Sequence, residues 1–137
     1  MAILATILII MNLPVLAPVN RMLYLERPEE INPYEAIIRA VTTVESGNGK
    51  FLLNETEMAV GWFGIRPVRL NDFNKKTGSH ITLDECYGYE TGRIIFLWYA
   101  SQIDYRDIKA IAINWNGISK ENKYYAKIQK VLVKEKL

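Results

Sequence analysis

The chain has 137 residues, 50% of them hydrophobic and 23% charged, with a formal net charge of +2. That length sets a single domain with one core, and so mild a charge argues against a dedicated nucleic-acid binder, which carries a clustered basic face. One cysteine, Cys86, excludes an intramolecular disulfide, and one histidine, His80, excludes a histidine-rich zinc site.

Residues 1–20 carry no ionisable side chain and read as a signal or membrane-anchor segment. The apolar run Ala2–Met11 is too short for an ordinary spanning helix, and Asn12, Pro14 and Pro18 keep it from extending further. Val15-Leu16-Ala17 offers the small residues a signal peptidase prefers, whereas Pro18 argues for retention as an anchor. An apolar helix packed on the domain is the third reading. Either export reading places the folded part in the periplasm, on the membrane or elsewhere in the cell envelope. Residues 21–32 form a charged linker, and residues 33–137 form the domain.

Asn32, Pro33 and Glu35 give a helix-start pattern, and Ile37, Ile38, Val41 and Val44 supply an apolar stripe. Gly47 and Gly49 end that helix. Glu45 comes four residues after Val41 and seven after Ile38, so it lies on or beside the buried stripe. A carboxylate there needs a reason, because charged groups are rarely buried without partners. The neighbouring Gly47-Asn48-Gly49-Lys50 is a poor phosphate loop: its glycines are two apart and Phe51 stands where a hydroxyl should be.

From Phe51 to Trp62 the helical period is lost, and a short irregular β-hairpin is expected. Pro67 starts a brief helix closed at Gly78, and Thr82 with Glu85 forms a capping-box pattern. Arg93–Ala100 is apolar on every side, as for a central helix. Asp104 is placed to cap the next helix, and Ser119 to cap a last amphipathic helix bearing Tyr124, Tyr125, Ile128 and Leu132. Cys86 reads as a buried small side chain beside a loop histidine rather than half of a thiol–imidazole pair. The fold class is mainly α (α+β), with a small irregular hairpin after the first strong helix.

Three segments, in register, carry a family likeness. Glu45-Ser46 resembles the Glu-Ser pair that ends the catalytic helix of soluble lytic transglycosylases and goose-type lysozymes. Gly61-Trp62-Phe63-Gly64-Ile65 is similar to that family's G-x-x-Q-I/L segment, and Ala110–Gly117 to its A-x-A-x-Y-N-A-G segment. Tyr125 to Leu132 resembles the aromatic-led closing helix, and the stretch Ala59–Asn74 resembles lysozyme-like proteins of Bacteroidetes and their phages. Two departures stand out. Gly64 occupies the family's glutamine position, and Trp115-Asn116-Gly117 replaces Tyr-Asn-Ala-Gly.

The resemblance implies a lysozyme-like fold and cleavage of the β-1,4 bond between N-acetylmuramic acid and N-acetylglucosamine in peptidoglycan, with no metal or cofactor. It implies Glu45 as the catalytic acid, and then base, of a transglycosylase. That role suits a carboxyl in a partly apolar wall, where desolvation raises its pKa. Without the resemblance, a helix-end glutamate paired with Arg66, Arg69 or Lys50 is the plainer reading. Classical glycosidases flank the bond with two carboxylates, and for that role Glu57 is the best-placed candidate ahead of Glu55 and Asp72; Glu57 can equally hold the hairpin through backbone N–H groups. Ser46, Gly61, Trp62, Phe63, Trp115, Asn116 and Tyr125 are the expected substrate-contact residues, the aromatic ones because flat rings suit pyranose faces. For Phe63 a place in the core is the stronger expectation, and Asn116 can instead close a turn with Gly117. A non-catalytic module that binds glycan or a partner is the alternative from another class, motivated by Gly64. Phage lysis and host wall remodelling both fit such an enzyme.

Overall fold

In the computed structural model the chain divides between Ile31 and Asn32, and the structure describes residues 32–117 and 123–134. The expectations for residues 1–31 and for Ser119 lie outside the described residues. These contain five α-helices and one two-stranded antiparallel sheet: α1 (Glu35–Ser46), β1 (Leu53–Asn54), β2 (Ala59–Val60), α2 (Pro67–Thr77), α3 (Tyr89–Ala100), α4 (Ile108–Asn116) and α5 (Lys123–Lys134). No described helix is long and apolar enough to cross a membrane.

Helix α1 starts two residues later than its cap pattern suggests, at Glu35 instead of Pro33. Asn32 Oδ1 accepts the Tyr34 N–H at 3.0 Å, and the Asn32 carbonyl accepts the Glu35 N–H, so asparagine organises a turn ahead of the helix. The stripe then buries Ile37, Ile38 and Val41. The helix stops where the Gly47 N–H returns to the Thr43 carbonyl and the Asn48 N–H to that of Thr42, which satisfies two carbonyls otherwise without partners. Asn48 adds a second tie, its Oδ1 accepting from the hydroxyls of Thr42 (3.1 Å) and Thr43 (3.2 Å). The Gly-rich turn is thus a helix terminator.

The hairpin pairs Leu53 with Val60 and Asn54 with Ala59. Two residues per strand make a weak ladder, so its anchorage comes from the apolar pair Ala59 and Val60, both buried. Proline opens α2 and Gly78 closes it, as the sequence suggests. Thr82 and Glu85 do form a reciprocal box: Glu85 Oε2 accepts from the Thr82 N–H at 2.7 Å, and Thr82 Oγ1 accepts from the Glu85 N–H at 3.4 Å. It caps only a single 3-10 turn, Glu85–Tyr87, before α3 begins at Tyr89. Two other expectations need correction. Asp107, not Asp104, caps α4, accepting from the Ala110 N–H at 2.9 Å, while Asp104 is held by Arg106. Helix α3 is not buried all round, because Ile94 is 55% exposed.

The core gathers residues from every helix: Ile38 and Val41 of α1, Phe73 of α2, Ile95 and Phe96 of α3, Ile111 and Trp115 of α4, and Ile128 of α5. Phe63, from the loop after β2, stacks on Phe96 with ring centroids 5.5 Å apart. Truncating either ring to alanine is expected to cost about 3–5 kcal/mol. Cys86 is buried with its Sγ against the Thr82 carbonyl, and burial pushes its thiol pKa up to about 11, so it stays an inert thiol. His80 is exposed.

Candidate active site

Glu45 occupies the last turn of α1, and three separate parts of the chain close around its carboxyl. The first is the loop Gly61–Gly64. Val60 and Ile65 exchange both backbone hydrogen bonds, at 3.0 and 2.8 Å, which pinches the four intervening residues into a tight loop. Inside it, Phe63 is driven into the core and Trp62 lies edge-on to Tyr89, centroids 5.3 Å apart. Gly64 is left facing the acid. A Cβ at Gly64 would overlap Glu45 Oε2 and come within 2.9 Å of Cδ, and its φ of 61° disfavours any L side chain. Gly61 makes the loop's other close approach, since a Cβ there would stand 2.9 Å from the Cys86 carbonyl carbon.

The second part is α5. Tyr124 is 9% exposed and its hydroxyl lies against the Glu45 carboxyl, near enough to draw the carboxyl pKa down. The pair stops short of a settled hydrogen bond, and that hydroxyl has no other hydrogen-bond partner among the described residues. Burial and the adjacent Glu45 raise the Tyr124 pKa strongly, so it remains a neutral donor. The third part is Arg66, just ahead of α2, whose positive charge acts on Glu45 while its Nη2 donates to the Asn116 carbonyl at 2.9 Å.

Desolvation dominates the electrostatics. Burial raises the Glu45 pKa from 4.5 to about 7, against the lowering influences of Tyr124, Arg66 and Lys127, and the negative charge of Glu57 pushes the same way as burial. Among the described residues Glu45 forms no ion pair, so pairing with Arg66, Arg69 or Lys50 does not account for its position. An acid of this strength is half protonated near neutrality.

The expected contact residues separate into two groups. Ser46, Phe63 and Trp115 are 1%, 0% and 4% exposed and are not surfaces that a substrate can touch. Ser46 instead clamps the end of α1: its Oγ accepts the Gly49 N–H at 2.9 Å and stands 3.0 Å from the carbonyls of both Thr42 and Trp62, donating to one at a time. Trp115 Nε1 donates to the Phe63 carbonyl at 3.1 Å, which fixes the pinched loop from the α4 side. Gly61 is likewise buried. Trp62, Asn116 and Tyr125 keep partial exposure, although the Tyr125 hydroxyl already accepts from Gln129 Nε2 at 3.1 Å.

Among the carboxylates, Glu57 is exposed on the hairpin, its N–H donating to Asn54 Oδ1 at 3.3 Å, and its charge reaches Glu45. Asp72 is committed elsewhere, accepting from the Tyr99 hydroxyl at 2.6 Å and pairing with Lys76 at 2.9 Å. Glu55 is exposed and does not figure among the charges acting on Glu45. Sequence reasoning named Arg66 as a pairing partner of the acid but missed Tyr124 and Lys127. The signal for Tyr124 was present, since it precedes the buried Ile128 by one helical turn. Among the described residues no group of three or more His, Cys, Asp or Glu side chains could hold a metal ion.

Beyond Arg66 the surface opens into a cleft of about 380 Å³ lined by Arg66, Val68, Arg69, Asp72, Asn116 and Gly117. Arg69 is locked there, its Nη2 donating to the carbonyls of Asn114 and Trp115 at 2.7 Å and its guanidinium 4.5 Å from the Tyr99 ring centroid. Comparison of the chain with protein families, curated proteins and solved structures finds no match.

Proposed function

We propose that this domain cleaves the β-1,4 bond between N-acetylmuramic acid and N-acetylglucosamine in peptidoglycan, with Glu45 as acid and then base. The observation that carries the reading is a largely buried carboxyl at a helix end, free of ion pairs and held near a pKa of 7. The Glu-Ser, Gly61–Ile65 and Trp115-Asn116-Gly117 resemblances support it, and the lysozyme-like fold they imply belongs to the same proposal.

The chemistry arises from the neighbours. Protonated Glu45 gives its proton to the leaving glycosidic oxygen as an oxocarbenium-like centre forms. The carboxylate left behind is then stabilised by the groups that oppose desolvation, namely the Tyr124 hydroxyl and the charges of Arg66 and Lys127. As base, that carboxylate takes the proton of the muramic 6-hydroxyl while the hydroxyl oxygen attacks the anomeric carbon, giving a 1,6-anhydro product. The Gly64 backbone presses on Glu45 and limits the positions the carboxyl can take. The function also requires export to the cell envelope, a role assigned to residues 1–20.

Zymography on peptidoglycan, followed by mass spectrometry of the products, tests the reading. Wild type is expected to clear the gel and leave 1,6-anhydromuramic ends, and Glu45→Gln to fold but not clear it. Absence of cleavage by the wild type would favour a non-catalytic glycan- or partner-binding module. A second reading, two-carboxylate hydrolysis, draws on the charge of Glu57 acting on Glu45. It would be established by reducing ends alone, with a folded but inactive Glu57→Gln.

A further inference from the structure

The cleft beyond Arg66 carries a chemistry that cutting an uncharged sugar chain does not need. It brings two guanidinium groups, Arg66 and Arg69, to one cavity of about 380 Å³. Each spends an Nη2 on carbonyls at the end of α4, and a guanidinium has five N–H donors, so both keep donors for a ligand. Tyr99 and Trp115 hold the Arg69 plane at 4.5 and 5.2 Å from their ring centroids, which removes most of the ordering cost of binding. The one acidic residue of the lining, Asp72, already accepts from Tyr99 and pairs with Lys76, so its charge is locally offset. Val68, 73% exposed, forms an apolar wall. A fixed fork of donors beside an apolar wall suits a carboxylate on a short organic chain.

Arg66 ties this cleft to the acid, because it lines the cavity and also acts on Glu45. We infer that the cleft binds a carboxylate of the peptide substituent carried by the glycan next to the bond that Glu45 attacks. This rests on the peptidoglycan reading above, and it makes the substrate the peptide-bearing strand rather than the bare sugar chain.

The test compares kcat/KM on peptide-bearing glycan strands with that on the same strands after their peptide carboxylates are capped as amides, for wild type and Val68→Glu. The variant sets a carboxylate at the cleft mouth from an exposed position, so folding is not at issue. Wild type is expected to prefer the strands with free peptide carboxylates by about tenfold, the scale of a charge-assisted hydrogen bond. In Val68→Glu that preference should fall to near one. Equal rates on both strands for wild type, or an undiminished preference in the variant, overturns the inference. A parallel NMR titration with the free stem tripeptide tracks the Val68 amide and Arg69 Nε. Saturable shifts in wild type that are lost in Val68→Glu uphold the assignment even if neither strand is cleaved, in which case only the proposed enzymatic activity fails. No saturable shift overturns it, and so does displacement of the peptide by equimolar inorganic phosphate, which would mark a general anion site.

Discussion

Replacing Glu45 by glutamine removes a charge that the fold is poorly built to hold, and the gain in stability has a defined pH dependence. The folded carboxyl has a pKa near 7 against an ordinary 4.5. Below pH 4.5 the group is protonated in both folded and unfolded chains, so its ionisation costs nothing. Between 4.5 and 7 the folded chain binds more protons than the unfolded one, and stability falls as pH rises. Above 7 the full cost is present. That pKa difference, at about 1.4 kcal/mol per tenfold change in proton affinity, comes to roughly 3 kcal/mol. Glutamine keeps the shape without the charge. The difference in unfolding free energy, Glu45→Gln minus wild type, is therefore expected to be more favourable at pH 8 than at pH 4 by roughly 3 kcal/mol. Urea titrations at the two pH values, with the slope checked for constancy, measure it. Because both proteins share every other titrating group, the double difference isolates Glu45. A difference that does not change with pH would mean that Glu45 titrates as an ordinary surface acid, and the case for it as a catalyst would collapse.

Three further outcomes are expected. The rate of glycan cleavage should fall as pH rises through about 7, where Glu45 loses its proton, and Tyr124→Phe should move that limb to higher pH because the hydroxyl lowers the Glu45 pKa; a limb that stays put after the change would remove Tyr124 from the site. Gly64→Ala should destabilise the domain by about 1–3 kcal/mol and abolish cleavage, since the new Cβ overlaps the carboxyl at a left-handed φ; full activity would show that the loop can retreat from Glu45. Ser46→Ala should cost about 1–3 kcal/mol, because it strands the Gly49 N–H and loosens the carbonyl of Thr42 or Trp62, and amide hydrogen exchange at Gly49 should rise; unchanged protection there would refute the clamp.

Local signals were legible in the sequence and distant ones were not. The capping box at Thr82, the proline opening α2 and the glycine ending α1 all act within a few residues, where short-range geometry decides. The cap of α4 fell at Asp107 instead of Asp104 because both aspartates precede the same apolar run and only the packing of the turn chooses between them. Glu45 was legible as misplaced charge on an apolar stripe. Its surroundings were not, because Gly64 and Tyr124 stand 19 and 79 residues further along the chain. Aromatic residues were the least readable class: Trp115 and Trp62 belong to one motif family, yet one is 4% exposed and fixed by the Phe63 carbonyl while the other is only half-buried. Exposure of a tryptophan is a property of its neighbours, and no local pattern encodes it.

Helices α1 and α5 pack on each other more extensively than any other pair of described elements, and they contribute Glu45 and Tyr124 respectively. The acid and the helix that shields it are therefore made at different times. While α1 is already outside the ribosome and α5 is still inside, the Glu45 carboxyl faces water and titrates as any solvated glutamate does. Docking of α5 supplies the low-dielectric wall, so the proton affinity of Glu45 rises in the same step that completes the core. The raised proton affinity is thus acquired late, and a chain stalled or clipped before Lys123 carries Glu45 without the shielding of α5.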